Sequence, residues 1–199
     1  ETVLHDVNFS IMKGEKIAIV GETGAGKSTI AKLILRFYLS DKGDVKFYGE
    51  SAKEVSQRWA RKNIAYVPQE SFLFRGTIRD NLIYSNPEKM QLESELKDIG
   101  VLDWFNRYEN GLDQEVGERG SNVSAGERQF IALLRAVLAK REIIVFDEAT
   151  ANLDIESENS ILDATDRLLD YQTSVVIAHR LETILNAEKI IVMKDGELV

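Results

Sequence analysis

The stretch Gly21-Glu22-Thr23-Gly24-Ala25-Gly26-Lys27-Ser28-Thr29 restricts this chain more than any other. It follows the apolar run Ile17-Ala18-Ile19-Val20 and leads into Ile30-Ala31-Lys32-Leu33-Ile34-Leu35, so a strand, a glycine loop and a helix succeed one another. Gly21, Gly26, Lys27 and Ser28 satisfy the pattern G-x-x-x-x-G-K-[ST]. In that pattern backbone N–H groups surround phosphates, the lysine reaches the β and γ phosphates, and the hydroxyl binds Mg²⁺. Glycine lets the backbone come close to an anion, and a helix starting near Lys27 aims its unpaired N–H groups and positive dipole end at the same place. A nucleotide phosphate site is therefore expected here.

A chain of 199 residues with 44% hydrophobic content has room for one substantial α/β domain with a smaller inserted lobe. Its formal net charge of −8 argues against broad nucleic-acid binding, which needs a basic surface to neutralise phosphates. With no cysteine, disulfide scaffolds and cysteine metal sites are excluded. No signal peptide opens the sequence, and no apolar run approaches the roughly 20 residues of a bilayer-spanning helix, so the chain as given reads as soluble.

Along the chain, Val3, Val7, Phe9 and Ile11 fall on alternate positions and predict a half-buried strand. Val45 to Tyr48 and Ile64 to Val67 predict two more, the second stopped by Pro68 with Gln69 just beyond. From Glu70 to about Lys140 the pattern turns helical, as with Leu92, Leu96 and Ile99, and no strand is expected there. Strand and helix then alternate: Ile143 to Phe146, a helix from about Glu156 to Leu169, Ser174 to Ala178, a short helix near Leu181 to Leu185, and Lys189 to Met193. This predicts a mixed, mainly parallel sheet flanked by helices, with an inserted helical lobe. Residues 1–69 and 141–199 form the core lobe of a single domain in this reading, and 70–140 the helical lobe. Asp195-Gly196 predicts a hairpin turn, and both ends of the chain look cut.

Ligands of open parallel sheets collect at the carboxyl ends of strands. The residues placed there are the glycine loop, Gln69, Asp147-Glu148 and His179. Adjacent acids after a buried strand suit magnesium-dependent phosphate chemistry, one holding Mg²⁺ through water and the next orienting or deprotonating the attacking water. Taken alone, His179 reads either as a structural histidine or as an imidazole that donates to a γ-phosphate; His5 reads as structural. Ser124-Ala125-Gly126-Glu127 has the S-x-x-E form of a capping box ahead of a helix from Arg128 to about Leu138. It is a helix cap, and also a second potential anion site in the same chain.

The ordered set of the Gly21 to Ser28 loop, Gln69, Val123 to Glu127, Ile143 to Glu148, Ala151-Asn152-Leu153-Asp154 and His179 resembles the nucleotide-binding domain of ATP-binding cassette (ABC) proteins, a P-loop NTPase fold. Phe72 to Leu82 and Glu115 to Gly120 are similar to segments typical of exporters, the first adjoining the membrane-domain contact and the second lying just before the signature. The resemblance implies an ATP-hydrolysing motor domain of a membrane transporter, acting at the cytoplasmic side as a head-to-tail dimer with a transmembrane domain and without nucleic acid. A soluble cassette ATPase acting on nucleic acid or ribosomes, and a binding module that does not hydrolyse ATP, are the other readings. The absence of [NT]-K-x-D disfavours a GTPase.

By that resemblance, Glu22, Thr23, Gly24 and Ala25 complete the phosphate loop, and Lys27 contacts the β and γ phosphates. Thr29 helps hold the α-phosphate, Ser28 and Gln69 approach Mg²⁺, and Asp147 supports it through water. Glu148 is the catalytic base, His179 contacts the γ-phosphate, Ser124 and Gly126 serve the nucleotide of a partner chain, and Asp154 lies where the two sites communicate. The usual signature is leucine, serine, glycine, glycine, glutamine; Val123, Ala125 and Glu127 depart from it. Alanine stays small, while glutamate keeps the cap and puts a negative charge beside a phosphate-facing helix start. The family's adenine-stacking aromatic normally lies upstream of the first strand seen here.

Overall fold

The computed structural model describes residues 3–84, 91–147, 172–178 and 187–199. In chain order its elements begin with β1 (Lys16–Gly21), α1 (Lys27–Ile34), β2 (Lys46–Phe47), β3 (Glu50–Ser51), α2 (Gln57–Asn63) and β4 (Ile64–Val67). There follow β5 (Gly76–Thr77), α3 (Ile78–Ile83), α4 (Leu92–Asp98), β6 (Glu115–Val116) and α5 (Ala125–Leu138). The last are β7 (Ile143–Asp147), β8 (Thr173–Ile177), β9 (Lys189–Lys194) and β10 (Glu197–Leu198). These group into two compact units, one of residues 3–66, 141–147, 172–178 and 187–199, the other of 67–84 and 91–140.

The first unit is built on a six-stranded sheet in the order β10-β9-β1-β8-β7-β4. β1 lies between β8 and β9, parallel to both, and β7 pairs parallel with β8. A strand paired on both sides and covered on both faces needs apolar residues without alternation. Ile17, Ala18 and Ile19 meet that requirement and are wholly buried. α1 contributes Ile30, Ala31 and Ile34 to a core that also holds Val145, Val175 and Ile177. Asp195 and Gly196, at φ 49° and 83°, form the two-residue turn that returns β9 antiparallel into β10. The mixed, mainly parallel sheet is therefore the one expected.

Two strand expectations need correction. No strand is present over Val3 to Ile11. Val7, Phe9 and Ile11 pack, partly buried, against the core, while Val3 is exposed and the His5 N–H bonds the Gly196 carbonyl at 2.8 Å. Alternation there reports one buried side of an extended segment, which needs no ladder. The stretch from Glu70 to Lys140 does contain strand, since β5 and β6 form an antiparallel pair too short for any periodicity to register. The Val45 to Tyr48 strand narrows to Lys46–Phe47, paired with β3. The helices expected at 156–169 and 181–185 lie outside the described residues.

In the second unit, Thr77 and Asp80 close a capping box on α3, which also buries Ile78 and Leu82. Arg79 bonds Glu93 at 2.6 Å and Asp113 at 2.7 Å, joining α3 to two later segments. The Thr77 backbone N–H holds the Asp80 carboxyl below its usual range, and Arg79 does the same for Glu93 and Asp113. Carboxylates depressed in the folded state contribute stability above their unfolded pKa, near 4, and lose it as pH falls through the folded value. Urea midpoints should therefore decline below about pH 4, and those of Asp80→Asn should decline less steeply, because that variant has no carboxylate at position 80 to protonate.

Candidate functional site

The glycine loop runs from the end of β1 to the first turn of α1. At Gly21 (φ 151°) a Cβ would run into the Met193 carbonyl on β9, so close pairing of β1 with β9 requires glycine there. Gly26, at φ 99°, is the left-handed N-cap of α1, and a Cβ on it would meet the Leu4 side chain at 2.6 Å. The loop is tightened by a bond from the Ala25 N–H to the Glu22 carbonyl, 3.1 Å. Lys27 is only 5% exposed, and its Nζ donates to the carbonyls of Gly21 (2.7 Å) and Glu22 (2.8 Å). Its charge is thus held over the loop by carbonyl dipoles. Thr23, Gly24 and Ser28 are exposed, Ala25 and Gly26 buried, and Thr29 half-buried.

Asp147 ends β7. Ile19 of β1 and Asp147 are both in register with Ile177 of β8, so two strand spacings, about 10 Å, separate them across the sheet. The Asp147 carboxylate and the loop that starts two residues after Ile19 therefore leave the sheet at the same edge. The residue before His179, Ala178, donates its N–H to the Ile19 carbonyl at 3.1 Å, next to the loop. Tyr66, on β4 beside β7, has its hydroxyl 3.3 Å from Asp147 Oδ2. Burial first, then the Asp147 charge, push the Tyr66 hydroxyl up to about 12, so it stays protonated at neutral pH.

The second unit holds the signature. α5 starts as predicted: Ser124 Oγ accepts from the Glu127 N–H at 3.1 Å and Glu127 Oε2 accepts from the Ser124 N–H at 2.7 Å. The helix begins at Ala125, three residues earlier than expected. Val123 and Gly126 are buried, and Ser124 and Ala125 exposed. Replacing leucine by valine at the first place thus keeps an apolar anchor. Arg128 bonds the carbonyls of Gly120 (3.1 Å) and Val123 (2.7 Å), fixing the turn into α5. Trp104 packs on Phe130 of α5 with ring centroids 4.5 Å apart. The half-buried Tyr108 hydroxyl is raised above its usual range by burial and then by the Glu127 carboxylate.

The two exporter-like segments meet, since Gly76 pairs with Val116 and Thr77 with Glu115. Asn122 ties the same loop, accepting from the Gly117 N–H at 2.7 Å and donating to the Glu115 carbonyl at 2.8 Å. Nearby Phe72 is 43% exposed and stands edge-on to Phe74, which stacks on Tyr84 at 4.2 Å, while Leu73 is wholly buried. Arg135 of α5 donates to the Phe72 carbonyl at 2.9 Å, and burial holds its guanidinium below the usual arginine value.

Within the first unit the structure brings together the glycine loop and Asp147. Gln69 is exposed in the second unit, two residues beyond β4. Glu148, Asp154 and His179 lie outside the described residues. Tyr66, Asn122 and Arg128 were missed. Only Tyr66 carried a signal, as an aromatic in the otherwise aliphatic strand Ile64-Ala65-Tyr66-Val67.

Residues 4–151 match the family model described as ABC transporter. The chain is 42% identical over 199 residues to the ATP-dependent lipid A-core flippase of Escherichia coli K12, covering 98% of this chain and 34% of the relative. To a protein of the same description from Pasteurella multocida it is 41% identical over 201 residues, covering 100% and 34%. A solved structure of a bacterial Atm1-family ABC exporter with ATP bound superposes with a TM-score of 0.89 at 38% identity, covering 99% of this chain and 35% of that one. The chain thus spans about a third of the length of the curated relatives it matches. Matched over residues 4–151, the chain belongs to the ABC transporter family.

Proposed function

We propose that the chain works as one half of a head-to-tail dimer, in which the Gly21 to Ser28 loop of one chain and the Ser124 helix start of another enclose each ATP, and that hydrolysis drives substrate translocation through a transmembrane domain. The observation that carries this reading is that one chain holds two separately built helix starts suited to an anion, a glycine loop opening α1 and a capped start opening α5. One nucleotide does not need both from the same chain.

On binding, Lys27 Nζ moves from the Gly21 and Glu22 carbonyls to the β and γ phosphates, while the loop N–H groups and the α1 dipole hold the remaining charge. Ser124 offers its hydroxyl to the partner's γ-phosphate, with Glu127 fixing its backbone. Glu148 accepts the proton of the attacking water and His179 holds the γ-phosphate. Mg²⁺ would suit this donor set: the Ser28 hydroxyl would supply a hard oxygen and Asp147 would hold the ion through water. Among the described residues no cluster of three or more His, Cys, Asp or Glu could cage a metal without substrate. Bound there, the ion neutralises phosphate charge.

The β5–β6 pair and the exposed Phe72 face the transmembrane domain in this reading, which places the protein at the cytoplasmic side of a membrane. Among the described residues no helix is long and apolar enough to cross one. A lipidic substrate is the reading suggested by the flippase relatives. The test is complementation. Lys27→Ala chains and Ser124→Arg chains, each inactive alone, should regain hydrolysis when mixed, because a mixed pair contains one intact composite site. Mixtures as inactive as the separate variants would rule out a shared site.

A further inference from the structure

We infer that Tyr66 is a positioning residue for Asp147, holding its carboxylate in the orientation that Mg²⁺ requires; this rests on the magnesium role proposed for Asp147. β4 and β7 are neighbours in the sheet, and Tyr66 of β4 reaches Asp147, the last residue of β7. Its hydroxyl donates to Oδ2 of Asp147 at 3.3 Å, the bond being part-buried. A carboxylate at a strand end has a free torsion about its own axis, and a donor fixed on one oxygen removes that freedom and directs the other oxygen. The tyrosine ring is partly buried against the core of the first unit and stands edge-on to Phe37 with centroids 6.0 Å apart. The donor is thus anchored by the fold and does not depend on the nucleotide being bound.

The hydroxyl is the only polar group of the Tyr66 side chain, so Tyr66→Phe removes the bond and keeps the ring and its contact with Phe37. Loss of a partner that orients a ligand typically weakens metal affinity by about 10- to 100-fold. At 3.3 Å the lower end is expected, about tenfold.

The experiment is calorimetric titration of ATP into the chain, in EDTA and over a range of free Mg²⁺, for wild type, Tyr66→Phe, Asp147→Asn and the double variant. Tyr66→Phe should raise the free Mg²⁺ giving half of the metal-dependent gain in ATP affinity by about tenfold. ATP affinity in EDTA should stay unchanged, and the double variant should be no worse than Asp147→Asn. An unchanged Mg²⁺ requirement in Tyr66→Phe, with a raised one in Asp147→Asn, would overturn the role of Tyr66. An unchanged requirement in both would overturn the magnesium role of Asp147 itself. Equal loss of affinity in EDTA and in Mg²⁺ would also overturn the inference, since it marks general damage to the fold. Thermal unfolding of each variant reads that damage independently.

Discussion

Replacing Lys27 by alanine is expected to lower ATP hydrolysis by about 10²- to 10³-fold, the usual cost of removing one preorganised charge donor from a reacting group. ATP binding should weaken as well, because a charge-assisted hydrogen bond contributes about 1.5–3 kcal/mol. The physical reason is visible in the resting loop. Lys27 Nζ is already placed over the phosphate cradle by the carbonyls of Gly21 and Glu22, at 2.7 and 2.8 Å. It needs little rearrangement to reach an anion, and it brings its charge from a nearly buried position where electrostatic interactions are less screened. Arginine should not substitute, because a planar five-donor fork does not fit a socket shaped for one compact ammonium. Steady-state phosphate release, together with ATP titration and a melting curve, separates lost chemistry from lost folding. Hydrolysis within threefold of wild type would show that Lys27 does not reach the phosphates.

The second large effect is expected at Glu148. Glutamine there keeps the size and removes the proton acceptor, and general-base catalysis typically contributes about 10²- to 10⁴-fold. Turnover should fall by that factor while ATP binding persists, since the role proposed for Glu148 is on the attacking water and the variant leaves Asp147 unchanged. Single-turnover phosphate release checks the first half of this expectation, and ATP titration the second. Full hydrolysis by the variant would move the base elsewhere, with His179 the next candidate.

How much of this was readable beforehand follows from what each feature needs. The glycine loop was legible because its spacing is local to one strand–loop–helix unit, although the close approaches that require Gly21 and Gly26 come from Met193 and Leu4 outside that unit. The Asp195-Gly196 hairpin and the Ser124–Glu127 box were legible for the same reason. Strand order was not, since the place of β8 between β1 and β7 depends on pairing between residues more than a hundred apart, such as Lys16 with Ser174. The Val3 to Ile11 alternation misled because burial of one side and ladder pairing leave the same trace in sequence. β5 and β6, two residues each, leave none. Tyr66 was hidden because its partner, Asp147, is 81 positions away on a strand that sequence alone could not place beside it.

The most direct measurement on the shared site is sedimentation velocity of the Glu148→Gln chain with and without ATP. If each ATP is enclosed by the loop of one chain and the Ser124 helix start of another, a chain that binds but cannot hydrolyse should convert from monomer to dimer when ATP is added. That conversion should vanish in the Glu148→Gln, Ser124→Arg double variant. A chain that binds ATP in the same solution yet stays monomeric would contradict it.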